Sequence, residues 1–200
     1  MPKALLWDFG NVLVRWNPRT LYAQVFLDPA ECDRFLTEVC TMAWHLEHDR
    51  GATFADNRKP LLERFPQYEE QILAWERRWP EMFSGAIPET EAAILALDAT
   101  GLPQFGLTNL SSEVIGHMKS LSPAFDRLKG IVVSGDEKLV KPDPAIFQVA
   151  IDRFGFDPAE VLFVDDSAPN IETARQMGFD THHFEDPAAL RPALEARGLL

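Results

Sequence analysis

Residues 4–7 read Ala-Leu-Leu-Trp, a continuous apolar run closed at once by Asp8, Phe9, Gly10 and Asn11. A run this short, with no polar alternation, fits a strand buried on both faces, and such strands sit inside parallel sheets covered by helices. Further strands are expected at Pro103–Leu107, Ile131–Ser134, Val161–Val164 and Thr181–Phe184, of which Ile131–Val133 and Val161–Val164 are again continuously apolar. Helical patterns separate these runs at Pro88–Ala99, at Ser111–Lys119 and at Ala168–Met177, the last closed by Gly178, and a terminal helix follows the final strand. Another helix opens with Asp143 as N-cap and Pro144 in its first turn, with Ile146, Phe147, Ala150, Ile151 and Phe154 on its core face. Strands alternating with crossover helices predict an α/β fold, a three-layer parallel sheet of Rossmann-like connectivity. Ligands of such sheets lie beyond the carboxyl ends of the strands. Asp8, Thr108 with Asn109, Ser134 with Gly135, and Asp165 with Asp166 each follow a predicted strand, so they should converge on one crevice.

Between Trp16 and Gly85 the texture changes. Apolar residues recur at three- and four-residue spacing, as in Leu21 and Val25, Phe35, Val39 and Met42, then Ile72, Trp75 and Trp79, with breaks at Pro29, Gly51 and Pro66. The expectation is an α-helical cap, residues 16–85, inserted into a core made of residues 1–15 and 86–200 and lying over the crevice. Trp75, Trp79 and Phe83 have the spacing of cap core. Ahead of Gly51 lie Trp44, His45, His48 and Asp49. His45, His48 and Asp49 are candidates for substrate binding or proton transfer, the alternative being a partly exposed helix end with one buried Trp.

Nineteen Lys and Arg against 31 Asp and Glu give a net charge of −12, which repels the phosphate backbone of nucleic acid and anionic lipid alike. An anionic ligand would need a bound cation. Cys32 and Cys40 belong to no disulfide framework and Ala4–Trp7 is too short for a signal segment or a membrane span, so a reduced, cytoplasmic protein is expected. Oligomeric state is not written in the sequence.

Four segments carry the chemistry. Trp7-Asp8-Phe9-Gly10-Asn11-Val12-Leu13, Leu107-Thr108-Asn109, Lys141-Pro142-Asp143-Pro144 and Phe163-Val164-Asp165-Asp166 resemble, in order, spacing and strand-end placement, the four motifs of the haloacid dehalogenase superfamily. The resemblance implies that Asp8 is a nucleophile that forms a covalent intermediate. It implies further that Asp8, Asp166 and the backbone carbonyl of Gly10 bind Mg²⁺, with Asp165 supporting Lys141 or the metal from behind. Lys141 would neutralise the nucleophile and the substrate's charge, leaving Lys138 as a surface charge. Thr108 would offer its hydroxyl, and Asn109 its backbone N–H, to a phosphate oxygen; a plain N-cap role is the bland alternative.

Gly10 departs from the pattern. Most phosphomonoesterases of this superfamily have a second Asp two positions after the nucleophile, as general acid for the leaving oxygen. Losing a positioned acid costs about 10²- to 10⁴-fold in rate, roughly 3 to 5 kcal/mol. The substrate is therefore expected to carry a good leaving group, such as an anomeric sugar hydroxyl or an acyl or aryl oxygen, or else the cap supplies the acid. The Asp-Phe-Gly-Asn-Val variant resembles a subgroup that includes sugar-1-phosphate phosphatases and the phosphatase domain fused to some epoxide hydrolases. The resemblance thus implies a Mg²⁺-dependent phosphatase acting on a small phosphorylated metabolite, possible sugar-1-phosphates included. A 2-haloacid dehalogenase is the alternative, but members of that kind carry Tyr where this chain has Gly10, Ser-Asn in place of the Asp165-Asp166 pair, and Tyr at Phe147. Phosphonate cleavage needs a cap lysine of lowered pKa, and Lys59 beside Pro60 has no apolar setting. A non-catalytic binding role would require a broken site.

Overall fold

The computed structural model describes residues 1–200. Seven strands form: β1 (Ala4–Trp7), β2 (Val14–Trp16), β3 (Phe83–Ala86), β4 (Gln104–Thr108), β5 (Ile131–Val133), β6 (Val161–Asp165) and β7 (Asp180–His183). Five of them make one parallel sheet in the order β5-β4-β1-β6-β7, as the alternation of strands and crossover helices predicts. The central position of β1 explains its unbroken apolarity. Ala4 and Leu6 pack into one layer with Leu107, Ile146, Phe147, Val161 and Phe163, whereas Leu5 and Trp7 enter the opposite layer with Ile94, Leu97, Leu162, Val164 and Leu190. Burying a side chain of this size contributes about 1.5–3 kcal/mol. The polar edge of Trp7 is satisfied inside the core, since its Nε1 donates to Gln104 Oε1 at 3.0 Å and Gln104 Nε2 donates to the Ile94 carbonyl at 2.9 Å.

Between β2 and β3 the chain builds α1 (Pro18–Val25), α2 (Pro29–Arg34), a π-helical turn (Phe35–Val39), α3 (Met42–Asp49), α4 (Phe54–Arg64) and α5 (Glu69–Arg77). Trp75 and Trp79 are buried among these helices, and Phe83 packs half-buried against Trp79. Cys32 and Cys40 are buried and free. Two of the places where the helical block meets the rest of the chain involve backbone on both sides. One is the antiparallel ribbon of β2 and β3, which pairs Val14 with Ala86 and Trp16 with Phe83. This ribbon was not expected, because three and four residues with Gly85 among them carry too little pattern to read as strands. The other is the turn after α3, where Gly51 adopts φ +94° and sits so close that a Cβ would stand 2.8 Å from the Gly135 carbonyl.

The covering helices are α6 (Pro88–Ala99), α7 (Ile115–Ser120), α8 (Ser134–Glu137), α9 (Pro144–Phe154), α10 (Ala168–Gln176) and α11 (Pro187–Glu195). Side chains of α6 and α11 pack on one face of the sheet and those of α9 and α10 on the other, which completes the three layers. Asp143 caps α9 by accepting from the Ala145 N–H at 2.9 Å. The helix expected to open at Ser111 starts instead at Ile115, because the intervening residues make other bonds. The Leu110 N–H donates to Ser134 Oγ at 2.8 Å, and the Glu113 carboxylate accepts the Phe54 N–H at 2.7 Å, which ties α4 to the core. No helix is long and apolar enough to cross a membrane.

Gly106, in β4, lets the ring beside Asp8 lie against the sheet, since a Cβ there would meet Phe9 Cζ at 2.3 Å. Gly106→Ala is expected to lower stability by about 1–3 kcal/mol through overpacking, seen as a lower urea midpoint at unchanged slope. An unchanged midpoint would show that Phe9 moves aside freely.

Candidate active site

The chain runs from β1 outward to β4 and β5 and returns on the other side of β1 as β6. The carboxyl ends of β1 and β6 therefore flank the point where the sheet's connectivity reverses. Asp8 follows β1 and is fastened to β6 by its N–H, which donates to the Val164 carbonyl at 2.9 Å. Asp165 ends β6 and Asp166 comes next. Carboxylate oxygens of Asp8, Asp165 and Asp166 all lie within 4.8 Å of one another.

Lys141 holds this cluster together. Its Nζ donates to Asp165 Oδ2 at 2.6 Å and to the Leu107 carbonyl at 2.9 Å, and lies 2.9 Å from Asp8 Oδ1, with the side chain 1% exposed. Asn109 fixes the backbone of Lys141 from both sides: its Nδ2 donates to the Lys141 carbonyl at 3.0 Å and its Oδ1 accepts the Lys141 N–H at 2.8 Å. The Asn109 side chain is thus a positioning group. Asp165 is fully buried, and its oxygens also accept the Ser167 N–H at 2.8 Å and Asn170 Nδ2 at 2.9 and 3.1 Å. Every direction around that carboxylate is taken, so Asp165 holds Lys141 and has little left for a ligand. Asp166 makes no side-chain hydrogen bond and opens with Asp8, Gly10, Asn109 and Lys141 onto a crevice of ≈400 Å³ that has no hydrophobic lining. Asn170 and Ser167 were not singled out from the sequence; the usable signal was their place on the first turn after a strand-end Asp pair. Lys138 is exposed, in keeping with a surface charge.

A second cavity, of ≈130 Å³, adjoins the first and is lined by Gly10, Thr108 and Asn109 from the core and by Trp16, Met42, His45, Asp49 and Trp79 from the helical side. Thr108 is buried at its floor. The His45 ring stacks against both Trp16 and Trp79, with centroids 4.9 and 5.7 Å away, and the two indoles lie 5.8 Å from each other. Burial, then the neighbouring His48, depresses His45 to about 3, so the ring is neutral at physiological pH. At the end of α3 the side chains of His45, His48 and Asp49 are buried, while Glu47 and Arg50 are exposed. His48 does not line the cavity: it is wedged between Trp44 and Phe54 at 4.6 and 4.5 Å, with neither ring nitrogen hydrogen-bonded. His45 and His48 are neighbours on the helix, with ring centroids 5.8 Å apart, and it is the packing of Trp44 and Phe54 that turns His48 from the cavity.

Residues 2–178 match the family of haloacid dehalogenase-like hydrolases. The chain belongs to that family. A relative named (S)-2-haloacid dehalogenase 4A, from Burkholderia cepacia, is 30% identical over 179 residues, 89% of this chain and 67% of its own. The D-ribitol-5-phosphate phosphatase of Bacteroides thetaiotaomicron is 26% identical over 203 residues, 97% of each chain. A solved haloacid dehalogenase family enzyme from the same bacterium, in complex with magnesium and inorganic phosphate, shares the fold at a TM-score of 0.72 and 22% identity, over 95% of this chain and 99% of its own.

In this haloacid dehalogenase-like hydrolase the site is short of positive charge. Burial, together with Asp165 and Asp166, lifts Asp8 to about 7 against the pull of the Lys141 ammonium. Burial and then Asp165 also raise Asp166. Burial by itself would push Lys141 down, but Asp165 and Asp8 outweigh it and hold the ammonium charged. One ammonium facing three carboxylates leaves an oxygen-rich, anionic pocket, which is the donor set a hard divalent cation takes. Asp8 and Asp166 are the open ligands, and the Gly10 carbonyl lines the same crevice.

Because the folded pKa of Asp8 lies above its ordinary 3.8, the folded state binds the extra proton and loses stability as pH rises from about 4 to 7. In metal-free protein Asp8→Asn is therefore expected to raise the thermal midpoint at about pH 8 and to change it little near pH 4. Added Mg²⁺ should close the gap by stabilising the wild type. A variant that is less stable than wild type at the higher pH would contradict this balance of charges.

Proposed function

We propose that this hydrolase is a Mg²⁺-dependent phosphomonoesterase that acts on a small phosphorylated metabolite through an aspartyl-phosphate on Asp8. The observation that carries the proposal is the convergence of three carboxylates, with one buried ammonium, on a crevice lined by no hydrophobic residue. Displacement of halide by a carboxylate needs no such cluster, whereas a phosphoryl group brings negative charge that a cation must offset. Asp8 Oδ would attack phosphorus while Lys141 balances charge and the Thr108 hydroxyl and Asn109 backbone N–H hold a phosphate oxygen. Mg²⁺, held by Asp8, Asp166 and the Gly10 carbonyl, would supply Lewis-acid neutralisation of the phosphoryl oxygens. Residues 16–85 would serve as the cap that shuts water out during the first step, with the core formed by 1–15 and 86–200. The phosphatase relative and the magnesium- and phosphate-bound neighbour support this activity.

A sugar-1-phosphate suits the absence of a carboxyl at Gly10, because its anomeric oxygen leaves more readily than an alkoxide. The negative charge and the free cysteines support a cytoplasmic metabolite enzyme that binds neither nucleic acid nor membrane. Dehalogenation is the second possibility, since a dehalogenase is 30% identical. Against it stands Phe147, which is fully buried against Phe163 and Phe179 and brings no hydroxyl to the crevice.

Hydrolysis of p-nitrophenyl phosphate tests the proposal. Phosphate release should require Mg²⁺ and fall by at least about 10³-fold in Asp8→Asn, with no chloride released from 2-chloropropionate. Metal-independent chloride release would make the protein a dehalogenase, and silence on both substrates would favour a non-catalytic binding protein.

A further inference from the structure

Two residues beyond the nucleophile, where a proton donor for the leaving group would stand, Gly10 offers none, and a Cβ built there meets no atom within 4 Å. That open space belongs to the cavity Gly10 shares with Thr108, and the one acid in its lining comes from the opposite wall: Asp49, the last residue of α3. Asp49 is 5% exposed. Its Oδ1 has no hydrogen-bond partner, and its Oδ2 lies 3.6 Å from His45 Nε2, beyond hydrogen-bond reach. A buried carboxyl oxygen left without a partner is costly unless a ligand completes it. The position is nonetheless well fixed. Stacking of Trp16, His45 and Trp79 sets the face of α3, Gly51 seats the end of the helix on the Gly135 carbonyl, and Glu113 fastens the start of α4.

We propose that Asp49 is the leaving-group acid of this enzyme, supplied by the helical cap in place of the missing carboxyl at position 10. The assignment rests on the phosphomonoesterase activity proposed above. As Asp8 Oδ bonds to phosphorus and the bond from phosphorus to the ester oxygen breaks, the Asp49 carboxyl proton passes to that oxygen and the alcohol departs. Asp49 is then a carboxylate. In the second step water attacks phosphorus, the bond from phosphorus to Asp8 breaks and dihydrogen phosphate is released, while Asp49 takes back a proton from solvent, so both carboxyls return to their starting states. The charged and titratable groups around Asp49 agree with this role. Burial, then the Asp8 carboxylate, raises it to about 7 against the Lys141 ammonium, while neutral His45 offers no counter-charge. The acid arrives with α3, so proton donation is available only when the helical block sits on the core.

The test is the dependence on leaving group. Wild type, Asp49→Asn and the double variant Gly10→Asp/Asp49→Asn are assayed at saturating Mg²⁺ on an alkyl monophosphate and on p-nitrophenyl phosphate, whose phenolate leaves without a proton. Asp49→Asn should lower kcat on the alkyl ester by about 10²- to 10⁴-fold and on the aryl ester by less than about threefold. Gly10→Asp in that background should return at least about tenfold on the alkyl ester. The aryl rate reports folding and the rest of the machinery in the same sample. Equal losses on both esters would reduce Asp49 to a structural role, and no loss on either would remove it from catalysis. A wild type inactive on both esters would instead bring down the phosphomonoesterase activity itself, and this assignment with it.

Discussion

The Lys141 ammonium is the interaction around which the site is organised. It is withdrawn from water and satisfied by groups from three strand ends: Asp8 after β1, the Leu107 carbonyl in β4 and Asp165 at the end of β6. A buried ion pair of this kind contributes little net stability, because desolvation offsets most of the attraction, but losing the ammonium would leave the carboxylates unpaired at a cost of about 3–5 kcal/mol. Its value is positional. Lys141 is clamped by Asn109, and Asp165 by Ser167 and Asn170, which fixes the ammonium and its buried partner beside Asp8 and the open carboxylate of Asp166. The excess negative charge that remains is the reason a cation belongs there.

Much of this was legible in the sequence because it depends on local rules. The unbroken Ala4–Trp7 run marks a strand covered on both faces, and the polar residues after each strand mark the crevice, because only the strand ends expose backbone and side chains to a ligand. Asp8, Thr108, Lys141, Asp165 and Asp166 come together for that reason. What escaped notice depends on contacts between distant segments. The ribbon of β2 and β3 is too short to leave a periodic signal. The Ser111 helix is delayed by bonds to Ser134 and Phe54, which no local pattern contains. Asn109 is legible as a strand-end residue, yet its side chain's grip on Lys141 spans 32 positions. His45, His48 and Asp49 are indistinguishable by composition, and the packing of Trp44 and Phe54 around His48 is what turns it from the cavity.

Core and helical block divide the chemistry between them. The core carries the charge, in a crevice lined by Asp8, Asn109, Lys141, Asp166 and Asn170. The helical block brings indole rings, a neutral imidazole and a buried acid to the adjoining cavity. On the proposed phosphatase reading, such a surface would face the leaving part of a substrate and the core its phosphoryl end. The Gly10 position is the seam between the two: with no side chain there, the crevice and the cavity share a common wall.

The central claim is that Asp8 becomes phosphorylated during turnover. Mass spectrometry of peptides from enzyme quenched in acid during turnover of p-nitrophenyl phosphate tests it most directly. The account predicts one phosphoryl group on the peptide that contains Asp8, absent when Asp8→Asn is treated identically. Phosphate release at full rate with that peptide unmodified, under conditions where chemical standards survive the quench, would contradict it.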